Sequence, residues 1–264
     1  MKKVLLLAVI LLSFGLLKTP LEQHLLQTQR TAGFQMARLN LNSRTQLGQG
    51  GFIAALSGFR ALMADLLWIR AGTAFEQTAW SRMELLLHSA TQLQPKAVLF
   101  WEMAHFHMAY DAATSRRMDD KHQPVAALRR KAELEFIHIG EGFLKDGLAF
   151  NPESSRLWER LGDLYNRRLS NHASAAEAYA IAAIKPGAMG YLRRFAAYEL
   201  ARVPSRENEA YTQLRALYDE GPAQRVPTLV HLVQELEQKL AVPIAQRAYV
   251  PKAAPEPSDP PPAR

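Results

Sequence analysis

From Ser57 to about Leu240 the apolar residues recur at three- and four-residue intervals, and no stretch alternates with period two long enough to make a strand. The spacing predicts an all-α body over residues 57–241. Ser57 is placed to cap the first helix, along which Phe59, Leu62, Met63, Leu66, Leu67 and Ile69 follow at helical intervals. A polar break, SRRMDDKHQP, ends at Pro124, and residues 125–150 then read as one long helix with a basic start at Arg129, Arg130 and Lys131. Residues 222–240 give a further amphipathic helix whose outer face carries Gln234, Glu235, Glu237 and Gln238. Residues 242–264 form a Pro-rich tail expected to be extended and disordered, with six prolines from Pro251 onward.

The pattern at the start of the chain is different. Lys2 and Lys3 precede residues 4–17, which are apolar apart from Ser13 and Gly15, and Lys18, Thr19 and Pro20 stop the run. Residues 1–20 therefore read as a signal peptide or a membrane anchor. Fourteen helical residues reach about 21 Å, short of a hydrocarbon core of roughly 30 Å, so a retained anchor relies on snorkelling by Lys3 and Lys18 or on local thinning. Ser13-Phe14-Gly15 is a small-x-small tripeptide and keeps the cleaved, secreted reading open. The expected location is the membrane, by a single N-terminal pass, with the body outside the cytoplasm. Residues 21–56 form a polar, Gln-rich juxtamembrane segment and linker, broken at Gly48-Gln49-Gly50-Gly51. No Gly-Lys-Ser/Thr follows those glycines, so they read as a link and not as a phosphate loop.

Charge and composition narrow the chemistry. The net charge is +7, but residues 2–64 hold seven Lys/Arg against Glu22 alone, so the basic excess sits beside the N-terminus. It allows binding of anionic lipid or nucleic acid through that region, although no nucleic acid is expected as the partner. The chain has no cysteine, which excludes disulfides, Cys-ligated metals and a thiol nucleophile.

An internal repeat organises the body. Pro95 stands six residues before Trp101, Pro152 six before Trp158, and Pro186 six before Leu192. Trp158, Leu161, Gly162 and Tyr165, followed by Ala175, Tyr179, Ala182 and Pro186, resemble the tetratricopeptide repeat (TPR), a 34-residue helical hairpin. Looser copies run through Trp68, Ala71, Gly72 and Phe75 with Leu87, Ala90 and Pro95, and through Trp101, Ala104, His105 and Met108. A last one combines Leu192, Phe195 and Ala196 with Ala210, Leu214, Leu217 and Pro222. The repeat positions are expected in the core, small residues letting large ones approach. Pro95 to Pro152 spans 57 residues, an excess that leaves a lid, a docking arm or a longer hairpin open.

The resemblance implies a right-handed superhelix of hairpins whose first helices line a groove. Carried over by position, the groove residues are Ile69, Arg70, Thr73 and Gln77; Glu102, Met103, Phe106 and Tyr110; Glu159, Arg160, Asp163 and Arg167; and Arg193, Arg194 and Ala197. Such a groove suits a protein or peptide with aromatic anchors and an acidic segment or free carboxylate. The same arginines also read as simply solvating one face or pairing with Glu159 and Asp163, the commoner role for such residues. His105 and His107 point about 200° apart and cannot share an ion, whereas His107 and Asp111 can touch. No metal, cofactor or enzymatic motif is expected. The function anticipated is a membrane-targeted scaffold that assembles a cell-envelope complex such as a secretion, pilus or polysaccharide system. An envelope hydrolase using the helices as a substrate clamp is the alternative, and it requires a pocket holding an acid of raised pKa.

Overall fold

The helical spacing is realised throughout residues 58–248, the part of the chain that the computed structural model describes, and no strand occurs among them. The helices are α1 (Arg60–Glu76), α2 (Trp80–Leu93), α3 (Val98–Phe106), a π-helical turn (His107–Ala112), α4 (Ala113–Met118), α5 (Ala126–Phe150), α6 (Ser155–Arg167), α7 (His172–Ala183), α8 (Tyr191–Leu200), α9 (Glu207–Asp219) and α10 (Pro227–Lys239). Among the described residues no helix is long and apolar enough to cross a membrane. The signal or anchor, the linker through residue 56, Ser57 and the Pro-rich tail from residue 249 lie outside the described residues.

The helix ends follow local chemistry. Ser154 caps α6 by accepting from the Leu157 N–H, and Asn171 caps α7 through the Ser174 N–H. Pro227 opens α10, where its missing N–H costs nothing. Gly221, with φ of 123°, turns the chain after α9.

The chain divides into two units between Phe100 and Trp101. In the first, α1 packs on α2 through Ala64, Ala71 and Ala74, and Trp68 stacks on Phe100 at 4.6 Å. In the second, packing runs chiefly between chain neighbours: α4 and the π turn on α5, α5 on α6, α6 on α7, α7 on α8, α8 on α9 and α9 on α10. A smaller contact joins α8 to α10. The surplus between Pro95 and Pro152 is thus a longer helical pair, with the SRRMDDKHQP break as the turn between α4 and α5.

Small residues set the spacing of the pairs. A Cβ built on Gly162 would stand 2.6 Å from the Tyr179 ring, and one on Gly147 would stand 2.8 Å from the Trp101 indole. Trp101 and Tyr179 are buried as a result, Trp101 stacking on Phe150 at 5.9 Å. The buried Ser155 hydroxyl donates to the Ala182 carbonyl at 2.9 Å and ties the start of α6 to the end of α7.

Gly147→Ala and Gly162→Ala are each expected to lose about 1–3 kcal/mol, because neither the indole nor the phenol ring can yield a methyl's width. Gly142, also on α5, has nothing within 4 Å of a built Cβ. Gly142→Ala is expected to gain about 0.5–1 kcal/mol from reduced backbone entropy. Urea denaturation of the three variants checks both signs.

Candidate functional site

Ile69, Arg70 and Thr73 lie exposed on α1 and Gln77 at its C-terminal cap, all in the first unit, and the other groove positions belong to the second. There, side chains link the first helices of successive pairs. Glu102 on α3 receives Arg160 of α6 at 2.8 Å and Arg156 at 2.5 Å. Arg160 also donates to Asp163 at 3.0 Å, and Asp163 accepts from the buried Tyr179 hydroxyl at 2.8 Å. Glu159 accepts from the Tyr191 hydroxyl of α8 at 2.7 Å. Phe106 stacks on Tyr110 at 5.2 Å, and the Arg168 guanidinium lies 5.3 Å from the centre of the Tyr110 ring.

These contacts fix the charge states of the network. Burial would raise the Glu102 carboxyl, but the hydrogen bonds from Arg156 and Arg160 outweigh it and hold the group below its ordinary pKa. Burial likewise opposes the Arg160 charge, and the Glu102 carboxylate more than restores it. The guanidinium of Arg160 is therefore committed within the chain, as is that of Arg193, which pairs with Glu220. Arg194 donates to Gln224 in the connection before α10. Ala197 is fully buried in the core.

Beyond this network α6, α8 and α10 enclose a cleft of about 420 Å³. Tyr179, Phe195, Tyr198 and Leu232 supply its aromatic and aliphatic lining, and Arg167 and Arg202, with Glu199, His231 and Glu235, its polar edge. Arg167 is 64% exposed and reaches Asp163 only at 3.7 Å, and Arg202 is 57% exposed, 3.5 Å from Glu199. Glu199 also meets His172 Nδ1 at 2.7 Å. The Tyr198 hydroxyl is buried beside Arg194, and burial pushes its pKa up against the opposing influence of that guanidinium, so it stays neutral.

Of the groove positions read from the repeat, Arg167 lines this cleft. Phe195, Tyr198 and Glu199 stand on the same helix as Arg193 and Arg194, and Arg202 in the turn just after it, all lining the cleft shared with α10. Phe195 is itself a repeat position, and Tyr198 and Arg202 follow it at three and seven residues. That spacing marks one helical face and could have pointed to them.

His105 is the buried titratable group of the site. Its ring is 1% exposed, stands edge-on to Tyr110 at 5.7 Å and leaves Nδ1 without a hydrogen-bond partner. Burial pushes its pKa down to about 4, with the Arg160 charge acting in the same direction. His107, at the start of the π turn, bonds Asp111 through Nδ1 at 2.8 Å. Among the described residues no three His, Asp or Glu side chains gather as a metal site.

No protein-family model matches the chain, and comparison with curated proteins likewise finds no match.

Because folding keeps His105 neutral, its contribution to stability is complete above the unfolded pKa near 6.5 and is lost as pH falls from there through about 4. The loss over that window is expected to be on the order of 3 kcal/mol. Unfolding free energies of wild type and His105→Gln, measured across the window, should differ by this slope.

Proposed function

We propose that the protein is a membrane-targeted, TPR-like scaffold that binds another protein and has no enzymatic activity of its own. In this reading the pairs α6/α7 and α8/α9, with the longer pair ending in α5 before them, are degenerate repeats stacked as a right-handed superhelix. Residues 1–20 bring the body to the membrane, and the assembly served is a cell-envelope complex of the secretion, pilus or polysaccharide kind.

The observation that carries the reading is the row of contacts between the first helices of successive pairs. Glu102 on α3 meets Arg160 on α6, Glu159 on α6 meets Tyr191 on α8, and α8 contacts α10. A chain whose helices pack mainly on their neighbours gains a continuous face this way, and stacked repeats use such faces for binding. The cleft at α6, α8 and α10 has an apolar lining and two well-exposed arginines, Arg167 and Arg202, at its edge. That combination suits a peptide segment placing an aromatic or aliphatic side chain against Phe195 and Leu232 and a carboxylate beside Arg167 and Arg202. The carboxylates nearest the network, Glu102 and Asp163, are both engaged by arginines, and Glu102 is held below its ordinary pKa, the opposite of what a general acid needs. This favours recognition over hydrolysis.

Placing a photo-crosslinking phenylalanine derivative at position 198 of the full chain, in its native membranes, tests the proposal. One partner protein should be captured, and Arg167→Glu with Arg202→Glu should reduce that capture by about tenfold or more, as for loss of charge-assisted contacts of about 1.5–3 kcal/mol. Capture unaffected by the double reversal would count against the cleft as the binding site.

A further inference from the structure

The first unit carries an apolar surface that its own packing does not use. On α1, Ala64, Ala71 and Ala74 face α2 and are at most 1% exposed. The opposite face bears Phe59, Leu62, Leu66 and Ile69, which are 57, 54, 46 and 67% exposed. Their spacing of three, four and three residues places them in one stripe, about 15 Å long at 1.5 Å per residue. Exposed leucines scattered singly need no explanation, but four large apolar side chains aligned on one helix do.

We propose that this stripe rests on the membrane, seated among the headgroups of an anionic bilayer, so that α1 lies in the plane of the surface. The inference rests on the membrane-targeting reading above and goes beyond it, because a tether alone leaves the body free to stand off the bilayer.

Three features favour a bilayer as occupant. The chain outside the described residues ends at residue 57, two positions before the stripe begins, and carries the apolar run of residues 4–17 about 40 residues upstream. Residues 2–64 have a net charge of +6, which complements anionic headgroups. The stripe is a single convex helix face, and a fluid surface accepts it without the matching concavity that a protein partner must supply. Asp65, Arg70 and Glu76 are exposed beside it and set a limit to its depth, which leaves the side chains in the outer apolar layer, about 5–10 Å deep.

The absence of cysteine allows single-site labelling of the full chain. A nitrobenzoxadiazole probe on Leu66→Cys or Ile69→Cys reads the local environment in vesicles of mixed phosphatidylcholine and phosphatidylglycerol, some carrying a quencher at a shallow acyl position. Leu85→Cys is the control, since Leu85 is equally exposed but lies on the face of α2 turned away from α1. The proposal expects the probes at 66 and 69 to shift to the blue and to be quenched, and the probe at 85 to do neither. If the chain floats with the vesicles while all three probes emit as in water, the membrane reading stands and this inference fails. If the chain does not float, both fail. Emission at 66 and 69 that is already blue before vesicles are added, and is insensitive to the quencher, means that protein covers the stripe, from a second copy or elsewhere in the chain, and overturns the proposal.

Discussion

Close approach at a few glycines is the constraint on which the second unit depends. Where α6 meets α7, Gly162 lets the Tyr179 ring lie directly on the helix backbone, and where α5 meets α3, Gly147 does the same for Trp101. The ring placed in each gap is then wholly buried, and its hydroxyl, in Tyr179, is carried to Asp163. A side chain on either glycine would separate the helices and withdraw that contact. The polar network thus meets the apolar one at Asp163, which accepts Arg160 on Oδ2 and the Tyr179 hydroxyl on Oδ1.

Arg160 in turn bridges two helix pairs. Its guanidinium, about one-third exposed, reaches Glu102 on α3, whose side chain is 9% exposed. Removing one member of such a pair strands the other in a place where water reaches it poorly, and the cost exceeds what the pair contributes when whole. Arginines placed in this way hold successive pairs in register and are not offered to a ligand. Arg167 and Arg202, well exposed and no closer than 3.5 Å to their carboxylate neighbours, keep their charge toward solvent.

The division of labour explains which parts were legible in the sequence. Period and proline spacing gave the helix pairs, since Pro95, Pro152, Pro186 and Pro222 all fall in connections. Gly162 and Tyr179 were legible as packing positions because they lie within one repeat-length span. The partners of the arginines were not, because Glu102 and Arg160 are 58 residues apart and only the stacking of pairs brings them together. The extra residues after Pro95 were visible as a surplus, but only packing of α5 on α4 and the π turn shows that they lengthen a pair. The α1 stripe was visible as periodicity, yet one amphipathic pattern cannot say which face a neighbour covers. Buried alanines on the other face decide that point.

The π turn limits any reading that counts residues from Trp101. Such a count assumes 3.6 residues per turn, and a ring closed at i→i+5 displaces every later side chain around the axis. Phe106 precedes the turn and Tyr110 lies inside it, so a count from Trp101 at 3.6 residues per turn stops applying between them. Tyr110 is instead held between the Phe106 ring and the Arg168 guanidinium, edge-on to His105. The opposing helix is adapted to the widened turn, because a Cβ on Gly140 would lie 2.7 Å from Ala109 Cβ and 3.0 Å from the His105 carbonyl. The irregular turn and the glycine facing it thus form one packing feature, and it is this feature that buries His105 as a neutral ring behind the charged network.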